Sequence, residues 1–190
     1  MADRLAQLPV AFLAAGEGTE RVELTEPWEA VRAEGGRPVL ISTKPGEVTL
    51  FNHLDADGSW PVDTTVDQAR VTEYAGLVLP GGVANPDQLR MDARAVGFVR
   101  SVVDSGRPVA VICHGPWTLV EADVLRGRTL TSYPSLRTDI INAGGTWVDE
   151  EVMVDDHGPN VIISSRNPDD LPAFCSTLVE QFSRQAAGTR

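Results

Sequence analysis

The chain has 190 residues, 42% of them hydrophobic, and a formal net charge of −11. That length suits one domain with a full core, and the hydrophobic share excludes wholesale disorder. The acidic balance argues against a nucleic-acid scaffold as partner, because phosphate binding needs clustered Lys and Arg; it reads instead as a self-repelling, soluble surface.

Taken in chain order, residues 1–7 read as a flexible N-terminal extension to a single domain over 1–190. Leu8 to Ala15 is apolar, but Asp3 offsets Arg4, so the positive flank of a secretory signal is missing. The run is also too short to span a bilayer, and no membrane partner is expected. Pro9 to Ala14 is predicted as a buried strand. Glu20 to Glu34 follows as a helix with Leu24, Trp28 and Val31 on one face, Pro27 threatening a kink and Gly35-Gly36 ending it. Arg37 to Ser42 is the second strand, and Thr43 to Asp67 reads as a small β-hairpin excursion at a sheet edge.

Gly76 to Leu79 is a strand that runs into Pro80-Gly81-Gly82, Asp92 to Ser105 is a helix, and Pro108 to Ile112 is a strand that runs into Cys113-His114-Gly115-Pro116. A helix carrying Leu119 and Val120 follows. Beyond it come a short strand at Leu130-Thr131, a helix from Ser135 to Ala143, a hairpin of Val152–Val154 with Val161–Ser164, and a closing helix from Leu171 to Gln185. Strands alternating with helices imply an α/β fold with a mostly parallel sheet and helices on both faces. In such sheets ligands sit beyond the carboxyl ends of the strands.

Cys113 is the most informative position. A buried strand that stops at a cysteine and turns at once into a helix forms a nucleophile elbow, with Gly115 relieving the crowding. The helix N-terminus then favours thiolate over thiol and predicts a depressed pKa. The competing reading is a cysteine that merely packs, and this is the reading for Cys175, which lies inside the last helix. The two cysteines form no Cys-x-x-Cys pair, and His53, His114 and His157 lack ligand spacing. Neither a disulfide framework, a metal nor any other cofactor is therefore expected, and a reducing, cytoplasmic location fits. The amides of His114 and Gly82 are the candidate oxyanion donors; Gly81-Gly82 reads equally as a plain tight turn.

The blocks Val78-Leu79-Pro80-Gly81-Gly82, Val111-Ile112-Cys113-His114-Gly115-Pro116, Leu125-Arg126-Gly127-Arg128, Asn142-Ala143-Gly144 and Ser165 to Pro172 occur in one order. In this the chain, from about Leu8 to Phe182, resembles the PfpI-like cysteine hydrolases. These belong to the superfamily of the parkinsonism-associated deglycase, with the class I glutamine amidotransferase fold, and the likeness is strongest to bacterial general stress proteins. The resemblance implies a flavodoxin-like α/β sandwich and a homodimer with its active site near the subunit boundary. It also implies a glutamate bonded to the cysteine, which the register of Val22-Glu23-Leu24 assigns to Glu20, with Glu17 as the weaker candidate. In the protease-like members, the histidine pairs with an acid from the other subunit, here Asp87. Both acids have plainer readings: Glu20 as a dipole-favoured residue in a first helical turn, Asp87 as a helix cap.

The implied activity is hydrolysis of methylglyoxal or glyoxal adducts, or a glyoxalase reaction, through Cys113, with Glu20 or His114 moving protons. The alternatives are an intracellular cysteine peptidase or amidase, and a redox-sensing stress protein or chaperone that works by oxidation of Cys113. Expected partners are small carbonyl compounds or protein and peptide substrates. Amidotransferase chemistry is disfavoured, since His157 is followed by Gly158-Pro159 rather than by the His-x-Glu of that class.

Overall fold

Along the central strands successive residues face opposite sides of the sheet, and both sides are apolar. In β1 (Pro9–Ala14), Val10 and Phe12 join one core cluster while Ala11 and Leu13 join the other. The same alternation runs through β3 (Arg37–Ser42), β7 (Gly76–Leu79) and β8 (Val109–Ile112). The structure, a computed structural model, describes residues 3–188.

Two strands extend the sheet on one side, β12 (Ile162–Ser165) and β11 (Val152–Asp155), and β6 (Thr64–Thr65) closes the other, in the order β11-β12-β8-β7-β1-β3-β6. Every pairing is parallel except β11 with β12. Helix α1 (Arg21–Ala33) and helix α6 (Leu171–Gly188) cover one face, where Leu24, Val31, Phe174, Leu178 and Phe182 meet Phe12 and Ile112. Helix α3 (Ala93–Asp104) covers the other through Phe98, Val99 and Val102, with Leu119 of α4 (Pro116–Glu121) and Ile140 of α5 (Arg137–Asn142) beside it. Asp92 caps α3, its carboxylate accepting the amides of Arg94 and Ala95.

The predicted α/β sandwich is present, and Pro27 is accommodated inside an unbroken α1. The expected β-hairpin excursion is present as well, and three local features add to the pattern read from the sequence. The hairpin of β4 (Glu47–Asn52) and β5 (Asp55–Pro61) does not extend the main sheet. It pairs with β2 (Glu17–Glu20) in a separate three-stranded sheet, because β2 runs parallel to β4 just before α1 begins. A short helix α2 (Ala84–Leu89) follows the Gly81-Gly82 turn, and β9 (Thr129–Leu130) pairs with β10 (Thr146–Trp147).

The N-terminal segment is docked rather than flexible. Leu5 is fully buried in the α1–α6 cluster, its amide donates to the Glu34 carbonyl, and Arg4 pairs with the Glu34 carboxylate. The buried leucine, the Leu5 and Gln7 amide bonds to Glu34 and Gly35 and the Arg4–Glu34 pair together offset the chain entropy of ordering residues 3–7; Met1 and Ala2 lie outside the described residues.

After β1 the chain crosses through α1 to β3, and after β7 it crosses on the opposite face through α3 to β8. The crevice between these divergent connections opens at the carboxyl ends of β1, β7 and β8, where a ligand is expected.

Candidate active site

The turn after β8 places Cys113 at that edge. Its φ is +61°, in the left-handed region that a non-glycine residue rarely enters. Hydrogen bonds hold the turn on both sides: the Cys113 amide donates to the Ser165 carbonyl at 3.1 Å, and the Cys113 carbonyl accepts the Tyr133 amide at 2.9 Å. Gly115 is required two residues on, because a Cβ there would lie 2.8 Å from the Leu79 carbonyl oxygen and 2.9 Å from that of Ile112. Pro116 then occupies the first turn of α4, where its missing N–H costs nothing.

Cys113 is 7% exposed and forms part of a cleft of about 650 Å³, whose wall includes Glu20, Glu23, Gly82, His114 and Tyr133. The amides of Gly82 and His114 both act on its sulfur and favour the thiolate. His114 Nδ1 lies 3.1 Å from Sγ. The imidazole is buried, which lowers its pKa and keeps it neutral.

The carboxyl that meets the cysteine is Glu23. It lies in the first turn of α1, fully buried, with Oε2 accepting the Gly81 amide at 2.8 Å. Burial raises its pKa from 4.5 to about 8, against the opposing pull of the Gly81 amide and the Cys113 side chain. Glu20, the residue expected in this role, ends β2 in extended conformation; its Oε2 accepts the His53 amide at 3.0 Å and so ties the β4–β5 turn to the cleft wall. Glu17 is exposed at the start of β2. Helical phase explains the difference: Glu23, Leu24, Pro27 and Val31 form the buried stripe of α1, whereas Glu20 precedes its first turn.

The expected depressed thiol pKa is not what the surroundings produce. Burial, and after it the Glu23 charge, push the Cys113 thiol up, and α4 has only six residues to oppose them. Glu23 and Cys113 therefore titrate as a pair that holds one negative charge more readily than two. While Glu23 keeps its proton it does not repel the thiolate and can donate to it.

Asp87 is exposed on α2, and the His114 Nε2 faces Ser135 Oγ at 3.3 Å instead. Cys175 is half-buried against the α1–α6 core, and burial followed by the Glu26 charge pushes it up to about 12. Asn85 is a residue the sequence reading missed. Fully buried, it donates to the carbonyls of Pro80 and Gly81 and accepts the Ala15 amide, clamping the Gly81-Gly82 turn to the end of β1. Among the described residues no cluster of three or more His, Cys, Asp or Glu is arranged to hold a metal.

Fold and site together define a flavodoxin-like α/β protein whose cysteine lies in a cleft at the carboxyl edge of a mostly parallel sheet. The chain belongs to the DJ-1/PfpI family, which matches residues 9–181. It is 42% identical to Deglycase PH1704 of Pyrococcus horikoshii, over 91% of this chain and 98% of that one. General stress protein 18 of Bacillus subtilis is 38% identical over 82% of this chain and 87% of its own. Among solved structures, Drosophila melanogaster DJ-1beta superposes with a TM-score of 0.79 over 96% of this chain and 97% of that one, at 24% identity, and shares the fold. No described helix is long and apolar enough to cross a membrane.

Proposed function

We propose that this protein is a stress-related, cysteine-dependent hydrolase of reactive-aldehyde adducts, able to act as a glyoxalase, with Cys113 as nucleophile. The observation that carries this reading is the convergence on one sulfur of the Gly82 and His114 amides, the His114 Nδ1 and the Glu23 carboxyl. The names of the P. horikoshii deglycase and the B. subtilis stress protein support it.

In this reading the Cys113 sulfur adds to the aldehyde carbon of methylglyoxal, forming a C–S bond and an oxyanion that the two amides stabilise. His114 takes the thiol proton and returns it to oxygen. The ionised fraction of Glu23, in place of Glu20, takes the carbon-bound proton from C1 and delivers it to C2, which converts the hemithioacetal into a thioester without net oxidation. Water then cleaves the C–S bond to release lactate and the free thiol. The same addition acts on the adduct carbon of a modified amine. The reading takes the protein as a cytoplasmic homodimer in which Asp87 of a second copy reaches the cleft.

Lactate formation from methylglyoxal and cleavage of a fluorogenic peptide, compared between wild type and Cys113→Ala, test it. Lactate formed by wild type alone is expected. Equal rates in the two proteins sink the proposal, and peptide cleavage without lactate moves it to the peptidase class.

A second reading, redox sensing, draws on the same pair: a Glu23 that is protonated at neutral pH is placed to donate its O–H to an oxidised Cys113 sulfur. Intact mass after mild peroxide is expected to rise by two oxygens. An unchanged mass with Cys113 still alkylatable rejects that reading.

A further inference from the structure

We infer that Ser135 is a positioning residue that selects which His114 nitrogen carries the proton beside Cys113. The inference rests on the reading of Cys113 as the reacting group.

The faces of the imidazole are fixed by aromatic neighbours. Tyr133 stacks on it with centroids 4.6 Å apart at 25°, and Trp117 meets it edge-on at 5.3 Å and 63°. These contacts hold the plane of the ring, and of the two orientations possible in that plane only the observed one sets a nitrogen against both Cys113 Sγ and Ser135 Oγ. Nδ1 points to Cys113 Sγ at 3.1 Å and Nε2 to Ser135 Oγ at 3.3 Å. A neutral imidazole has one N–H and one lone pair, and the partner of one nitrogen decides the role of the other.

With Nε2–H donating to Ser135 Oγ, the Nδ1 lone pair faces sulfur. The thiol proton then moves from Sγ to Nδ1 and leaves a thiolate beside an imidazolium, with Ser135 still accepting from Nε2–H. A hydroxyl supports this as a neutral acceptor. A carboxylate in its place would accept only, and would hold the imidazolium more strongly. Ser135 lies in the 3-10 turn Pro134–Leu136, exposed on its remaining sides, so replacing it leaves the core intact. The other titratable groups around the Cys113–His114 pair and its cleft are Glu23 and Arg21 from α1, Glu20 from the end of β2, His53 from the β4–β5 turn, Asp57 from β5, Asp169 before α6, and Tyr133.

The test is the pH profile of Cys113 alkylation by iodoacetamide, which needs no turnover, with Cys113→Ala as the labelling control. Ser135→Ala is expected to move the midpoint up by about 0.5–1 pH unit and to lower kcat roughly three- to tenfold with KM little changed. Ser135→Thr, which keeps the hydroxyl, restores both, and Ser135→Asp moves the midpoint down. Superimposable profiles for wild type, Ser135→Ala and Ser135→Asp overturn the inference, since water would then serve Nε2 equally well. So does a midpoint that shifts in Asp87→Asn but not in Ser135→Ala. Because alkylation is independent of substrate, shifted profiles in a protein that makes no lactate sustain the role of Ser135 and reject only the glyoxalase reading.

Discussion

Glu23 Oε2 accepts the Gly81 amide at 2.8 Å, joining the first turn of α1 to the turn after β7 directly beside Cys113. The bond fixes the carboxyl against the sulfur, and it keeps an acid fully buried, with a consequence for stability.

The Glu23 pKa rises from 4.5 to about 8 on folding, burial being the largest cause. Between those values the folded state retains a proton that the unfolded chain releases. The stability contributed by this group is therefore complete below pH 4.5 and lost as pH rises through about 8. Thermal unfolding should show wild-type stability falling across that window by an amount on the order of a few kcal/mol. Glu23→Gln, which keeps an acceptor for Gly81, should flatten the decline and be the more stable protein at pH 8. Parallel curves for the two proteins would mean that Glu23 is not the titrating group.

Cys113 adopts its φ of +61° at a cost that glycine escapes. Replacing it by glycine ordinarily costs about 0.5–1 kcal/mol more than replacing it by alanine. Here Cys113→Gly should match or exceed Cys113→Ala in denaturant midpoint, and both variants should lack activity. A clear advantage for alanine would show that the turn carries no such strain.

A Cβ on Gly81 would lie 2.7 Å from Cys113 Cβ and 2.9 Å from the Ile112 carbonyl oxygen, and would also collide with the Glu23 carboxylate. Gly81→Ala should therefore lose about 1–3 kcal/mol of stability. Its kcat/KM should fall at least about tenfold as Glu23 and the sulfur separate. A variant with wild-type kcat/KM would show that the site tolerates their separation.

Arg128 and Asp155 form a buried ion pair away from the cleft, with Arg128 also donating to the Asn160 side-chain and backbone oxygens. Arg128→Met leaves Asp155 buried without its cation and should cost about 3–5 kcal/mol. The folded fraction should keep wild-type specific activity, as unfolding curves and rates measured on one preparation would reveal. A loss of specific activity at full folding would connect this pair to the site.

Much of the molecule was legible in the chain because it depends on local order. The strands β1, β3, β7 and β8 declare themselves by apolar runs of strand length, and Gly81-Gly82 and Cys113-His114 follow two of them directly, which puts both at one sheet edge. Glu23 was harder to see. The sequence pattern points to Leu24, Trp28 and Val31 as the buried face of a helix starting at Glu20, whereas α1 starts at Arg21 and buries Glu23 with Leu24, Pro27 and Val31.

Chain-order pattern is enough for the α/β class, the ordered blocks of the DJ-1/PfpI family and the place of Cys113 at a strand end, since each is written in local runs and their succession. What surrounds that sulfur depends on packing between distant segments. Glu23 meets Gly81 across 58 positions, Asn85 meets Ala15 across 70, and Ser135 meets His114 across 21. No local periodicity encodes such contacts; they form when packing on both faces of the sheet brings the ends of β1, β7 and β8 together. The same packing desolvates Glu23 and Cys113 and raises both of their pKa values, where the strand-to-helix turn read alone predicted a depressed thiol.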